Sequence, residues 1–135
     1  MRLIISGTRD GKFPKLAYHF EVALKLAFTH KFFEMPSEVV EGGCPTGIDA
    51  LARKWAEDHG MTPKTFDADW TRFGYAAGPI RNREMANYGE ALLAIPATPR
   101  HRKSGTWNMV AQAEARGLII YVYEGLFNGN ETKAP

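Results

Sequence analysis

Short, unbroken apolar runs alternate along this chain with longer stretches of helical period. Leu3-Ile4-Ile5 stops at Ser6-Gly7, Val39-Val40 runs into Gly42-Gly43, Ala91 to Ile95 ends at Pro96, and Leu118 to Tyr123 is the strongest of the set. Runs that are continuous rather than alternating predict strands buried on both faces, as in parallel sheets. Lys64-Thr65-Phe66 is a weaker strand of the same kind. Between these runs, Leu16, Phe20, Leu24 and Ala27/Phe28 recur at helical spacing, which predicts a helix from Pro14 to about Phe33. Ile48, Leu51, Ala52, Trp55 and Ala56 form an i, i+3, i+4, i+7, i+8 stripe on a helix opened by Pro45 and closed by Gly60. Two more helices are predicted, from Pro79 to about Tyr88 and from Gly105-Thr106 to a stop at Gly117. Gly74 to Gly78 reads as a flexible approach to the third of these four helices, and residues 126–135 read as a loose tail.

Strands that alternate with helices predict an α/β fold: a single Rossmann-like domain over residues 1–125, with a five-stranded, mainly parallel sheet and helices on both faces. Right-handed crossovers place the carboxyl end of every strand on one rim, and ligands of such sheets bind there, near the point where the strand order reverses.

Composition narrows the class. At 135 residues the chain has the size of one domain. Seventeen Lys and Arg against fifteen Asp and Glu give +2, without the basic excess of a nucleic-acid coat or the acidity of a disordered tail protein. Cys44 is the only cysteine, so neither an intrachain disulfide nor a cysteine-built zinc site forms. Met1 to Gly7 lacks the form of a signal peptide, and no stretch of about 18 apolar residues occurs. The expectation is a cytoplasmic protein with no membrane partner.

The predicted rim gathers the chemistry. Ser6-Gly7-Thr8-Arg9-Asp10 follows the first strand, and Glu41 to Asp49, with Gly42-Gly43, Thr46 and Gly47, follows the second. Asp69-Trp70 and then Gly78 to Arg83 follow the third, and Pro96 to Thr106 follows the fourth. Gly42-Gly43 permits close backbone approach, and the helix starts at Thr46-Gly47 and Gly105-Thr106 point free N–H groups at an anion. Arg9, Arg81 and Arg83 suit bidentate phosphate contacts, Asp49 suits a ribose or base, and the Trp70 ring suits stacking. Each residue alone has a plainer reading: Asp49 offsets a helix dipole, Ser104 caps a helix, and the run Arg100-His101-Arg102-Lys103 is a solvated loop or a lid over an anion. Cys44 beside a helix start is a candidate nucleophile with no histidine near it in sequence. His19, His30 and His59 have no metal-ligand spacing.

The ordered strings Gly7-Thr8-Arg9-Asp10, Gly42-Gly43-x-x-x-Gly47-x-Asp49-x-Leu51-Ala52, Ala68-Asp69-Trp70 and Ala77-Gly78-Pro79-Ile80-Arg81-Asn82-Arg83-Glu84-Met85 resemble the YspA-type, YpsA-related branch of the SLOG superfamily. The resemblance spans Leu3 to about Tyr123. It implies a Rossmann-like domain that binds a nucleotide or nucleotide-derived ligand as a sensor, sequestering protein or carrier. The expected ligand site comprises Gly7, Thr8, Arg9, Asp10, Gly42, Gly43, Thr46, Gly47, Asp49, Asp69, Trp70, Gly78, Arg81, Asn82, Gly105 and Thr106, with no metal, no cofactor and no assigned catalytic residue. The superfamily includes phosphoribohydrolases of the lonely-guy type, so cleavage of an N-glycosidic bond is the alternative. Against it, the glutamate of their glycine-rich segment falls at Met109, which has no carboxylate to offer. Single-stranded nucleic-acid binding through the Arg100–Lys103 loop is a third reading, disfavoured by the near-neutral charge. Pairing of relatives through helices on one sheet face, with Phe20, Phe28, Phe32 and Phe33 on the long first helix, suggests a homodimer.

Overall fold

A computed structural model describes residues 1–30 and 34–128. Strands β1 (Arg2–Gly7), β2 (Glu38–Glu41), β3 (Lys64–Thr65), β4 (Ala91–Ile95) and β5 (Ile119–Val122) form one sheet in the order β3-β2-β1-β4-β5. Every pairing is parallel, with Leu3 to Gly7 in register with Ala91 to Ile95 at the centre. The helices are α1 (Leu16–Thr29), α2 (Gly47–Asp58), α3 (Trp70–Phe73), α4 (Ala77–Tyr88), α5 (Gly105–Ala115) and α6 (Gly125–Asn128).

The apolar runs are continuous because both faces of the central strands are covered. Leu3, Ile5, Val39, Leu93 and Ile95 point to one side, where they pack with Leu16, Phe20 and Leu24 of α1 and Ile48, Ala52 and Ala56 of α2. Ile4, Val40, Leu92 and Ala94 point to the other, against Met85 and Ala86 of α4 and Trp107, Met109 and Val110 of α5. Neighbouring residues of one strand thus serve opposite layers, as the two-residue period of a strand requires. Gly60 and Gly117 stop α2 and α5 where expected, the N–H of the next residue turning back to the Ala56 and Ala113 carbonyls at 2.8 and 3.1 Å.

Several boundaries differ from the sequence reading. The first two helices begin at Leu16 and Gly47, two residues beyond the prolines expected to open them, and α1 ends at Thr29. Gly74 to Gly78 is helical: Gly74–Ala76 makes one turn of 3-10 helix and α4 begins at Ala77. Pro79 fits in the first turn of α4 because that turn has no intrahelical acceptor for its missing N–H. The run expected to be the strongest strand is β5, an edge strand in which Ile119 is 53% exposed. Apolar content does not report a strand's rank in the sheet; β1, β2 and β4 each lie between two strands, whereas β5 has a neighbour on one side. The first residues of the expected tail belong to α6, and Leu126 is buried in the α1–α2 layer; residues 129–135 lie outside the described residues.

The aromatic surplus expected on α1 also changes. Phe20 is buried and Phe28 stacks on Trp55 with centroids 6.1 Å apart, so both belong to the core layer. Phe32 and Phe33 lie outside the described residues. Tyr18 is the exposed aromatic of α1.

Leu93 has no exposed surface at the centre of β4. Leu93→Ala is expected to lower the unfolding free energy by about 2–5 kcal/mol. Equilibrium urea denaturation measures it.

Candidate functional site

The strand order reverses between β1 and β4, which leaves a crevice beyond their carboxyl ends. A cavity of about 410 Å³ fills it. Its walls come from Ser6 to Asp10 after β1, Gly42 after β2, Asp49 in α2, Arg81, Asn82 and Met85 in α4, and Ala97, Thr98, His101 and Ser104 to Thr106 after β4.

One hydrogen-bond chain ties these segments together. Arg81 Nη1 donates to the Gly42 carbonyl at 2.6 Å, and its Nε donates to Asn82 Oδ1 at 3.0 Å. Asn82 Nδ2 in turn donates to the Gly105 carbonyl at 3.1 Å and to Asn108 Oδ1 at 3.0 Å. A guanidinium has five N–H groups, and these bonds use two of Arg81's. The rest have no acceptor among the described residues. A Cβ at Gly42 would lie 2.6 Å from Arg81 Nη1 and 3.0 Å from Asp49 Oδ2, so a side chain there would push the guanidinium from its place. Gly43 follows at φ +81°, in the left-handed region that glycine tolerates best.

The glycine loop is held from below by groups to which sequence reasoning gave no role. Glu41 ends β2 with no exposed surface. It accepts from Arg53 Nη1 at 2.6 Å, from the Gly43 N–H at 2.7 Å and from the Thr65 hydroxyl. Arg53 Nη2 donates to the Cys44 carbonyl at 2.6 Å. The sequence reading placed Glu41 in the segment after the second strand; the structure makes it the last, buried residue of β2, where a charge needs a partner. Removing either member of a buried pair typically costs about 3–5 kcal/mol, because the other charge is left uncompensated.

Asp49 is the carboxylate beside Arg81. Its Oδ2 accepts the Cys44 N–H at 3.2 Å. Burial pushes its pKa up to about 6, and Glu41 pushes the same way; the Cys44 N–H, Arg81 and Arg53 oppose the rise without cancelling it. Burial also lowers the Arg81 pKa, with Asp49 opposing and Arg9 reinforcing the shift. No carboxylate among the described residues comes within 4.0 Å of a side-chain nitrogen of Arg9 or Arg81. Arg9 instead lies over the Trp70 ring, 5.0 Å from its centroid.

Ten of the sixteen expected residues line the cavity: Gly7, Thr8, Arg9, Asp10, Gly42, Asp49, Arg81, Asn82, Gly105 and Thr106. Gly43 and Trp70 line an adjoining recess. Thr46, Gly47, Asp69 and Gly78 line neither. Thr46 donates its hydroxyl to the Arg9 carbonyl at 2.7 Å, and the Ile48 N–H at the start of α2 donates to the Thr8 carbonyl at 3.0 Å. Thus the start of α2 holds the loop after β1, and its N–H groups are not all free for an anion as the sequence suggested. Asp69 Oδ1 caps α3 through the Arg72 N–H at 3.0 Å, and Gly78 packs against the Trp70 ring.

The start of α5 keeps the expected open form. Ser104 Oγ accepts the Trp107 N–H at 3.2 Å and its carbonyl accepts the Asn108 N–H at 2.9 Å. The Gly105 and Thr106 N–H groups have no acceptor among the described residues. The basic run contributes less than its charge promised. Arg100 is held by Glu114 at 2.8 and 3.2 Å and lies over Trp107, which leaves His101 as the residue of the run that lines the cavity. Arg83 is exposed and lies off the wall. Met109 is buried in the α4–α5 layer. Among the described residues no group of three or more His, Cys, Asp or Glu is placed to hold a metal ion, and no helix is long and apolar enough to cross a membrane.

The raised pKa of Asp49 makes its charged form a cost to the fold. A pKa above the unfolded value contributes stability that is fully present below about pH 4 and is lost as pH rises through about 6. Asp49→Asn removes that loss. Its unfolding free energy relative to the unsubstituted protein is expected to gain on the order of 2 kcal/mol between pH 4 and pH 7.5. Paired denaturation curves at the two pH values test the sign; a difference that does not change with pH would contradict it.

The chain is 35% identical to the "Gene 61 protein" of Mycobacterium phage D29 over 88 residues, a match that covers 61% of this chain and 67% of that protein. No solved structure matches. A family model matches residues 1–73, the half that contains the loop after β1, the glycine loop, Asp49 and Trp70. With the sheet order and the rim cavity, this match identifies the chain as a member of the YspA, cpYpsA-related SLOG family.

Proposed function

We propose that the rim cavity binds a nucleotide or nucleotide-derived ligand by its phosphate, in a sensing, sequestering or carrier role. One observation supports this reading most directly: two guanidiniums with no carboxylate within 4.0 Å among the described residues, Arg9 and Arg81, line one cavity with the free N–H groups of Gly105 and Thr106 at the strand-order reversal. Cations outside any ion pair and helix-start N–H groups favour an anion, and the doubly charged phosphate is an anion that suits both. The cavity volume, about 410 Å³, lies within the range typical of small-molecule sites. Asp49, on the same wall, suits the hydroxyls of the attached sugar.

N-glycosidic cleavage is a second reading, favoured by Asp49 alone. A carboxyl whose pKa is about 6 beside Arg81 has the acidity to protonate a departing base while water adds at the sugar carbon and passes its proton to solvent. Chromatography for free base after incubation with the common nucleoside monophosphates decides it. Release that is lost in Asp49→Asn supports cleavage; no release across the panel removes it.

Arg81→Ala is expected to weaken mononucleotide binding at least tenfold, equivalent to about 1.4 kcal/mol, while the free protein stays folded. Calorimetric titration with AMP, GMP, CMP and UMP measures it. Equal affinity with and without the guanidinium would remove Arg81 from the site.

A further inference from the structure

The adjoining recess has a volume of about 290 Å³ and shares three wall residues with the main cavity: Arg9, Gly42 and Arg81. The two spaces therefore meet at the unneutralised guanidiniums. If the phosphate were the end of the ligand, its cations would stand at the end of the recess. Here they stand at the waist, with space on both sides.

The far wall of the second space has a different chemistry. Asp67 is exposed, and its carboxylate lies over Gly43 in the volume that a Cβ there would occupy. Among the described residues no cation or N–H donor engages it. An unpaired carboxylate repels a further phosphate and accepts hydrogen bonds from hydroxyls. Beside it stands Trp70, 45% exposed, with Arg9 over its ring. An apolar ring next to a hydroxyl acceptor suits a sugar, which presents C–H on its faces and O–H at its edge.

We propose that this second chamber is a subsite for a hydroxyl-bearing group, such as a second sugar, joined through a pyrophosphate to the nucleoside in the main cavity. The ligand class is then a nucleoside diphosphate esterified at its far end. The inference rests on the nucleotide reading above and extends it.

Charge gives the test its direction. A free nucleoside diphosphate carries more negative charge at pH 7.5 than its sugar ester, because the second ionisation of a terminal phosphate has a pKa of about 6. Two arginines alone would therefore prefer the free diphosphate. Calorimetric titrations compare AMP, ADP and ADP-ribose in one series and GMP, GDP and GDP-mannose in another. The expected result is an ester at least fivefold tighter than its own diphosphate in one or both series. Asp67→Ala, a change at an exposed side chain, is expected to cut that advantage below twofold and leave the monophosphate affinity within twofold. Esters no tighter than diphosphates in both series would overturn the subsite and leave the nucleotide reading standing. Equal weakening of every ligand by Asp67→Ala would also overturn it, since Asp67 would then act on the main cavity. If no member of either series binds, the nucleotide reading fails and the subsite fails with it.

Discussion

Glu41 has no exposed surface, and the shape of the rim depends on how its carboxylate is satisfied. Arg53, the Gly43 N–H and the Thr65 hydroxyl surround it, and Arg53 reaches on to the Cys44 carbonyl. These bonds fix the direction in which the chain leaves β2. That direction presents the Gly42 carbonyl to Arg81 and the Cys44 N–H to Asp49. Arg81, once held, positions Asn82, which grips the start of α5. A buried ion pair is weak evidence for stability, but a strong determinant of where its neighbours go.

The residues beneath the rim and those that line its cavity are largely separate sets, with Arg81 and Asn82 belonging to both. Glu41 and Arg53 lie beneath the glycine loop, while Thr46 and the Ile48 N–H hold the loop after β1 by its carbonyls. Among the described residues, the Arg9 guanidinium, the three remaining N–H groups of Arg81 and the Gly105 and Thr106 N–H groups have no protein acceptor. For the proposed ligand, donors held in this way stand in place before binding, so little rearrangement would oppose it.

Sequence alone disclosed the layers well. Burial on both faces is written into Leu3-Ile4-Ile5 and Ala91 to Ile95, and the α2 stripe fell on the core as read. Less of the site could be read, because the relevant facts are pairings between distant residues. That Ile48 gives its N–H to Thr8, or Arg100 its guanidinium to Glu114, depends on how loops return to one another. Local signals showed a free helix start and a basic loop. The helical segment from Gly74 to Gly78 was hidden for a related reason: its glycines and Pro79 suggest a break, yet the tertiary setting uses them within a turn. Glu41 was read as part of the loop after the second strand, and its partner, Arg53, lies twelve residues away on the next helix.

The bond from Arg81 to Gly42 has one more consequence. Gly42 belongs to the chain before residue 73, and Arg81, Asn82 and Gly105 belong to the chain after it. The cradle and half of its positive charge thus come from opposite halves of the polypeptide, which meet at the seam between β1 and β4. A bound anion would lie across that seam like a strap, its free energy opposing any motion that parts the halves. Neither half holds all the walls of the cavity, so occupancy of the proposed site would report on the integrity of the whole sheet.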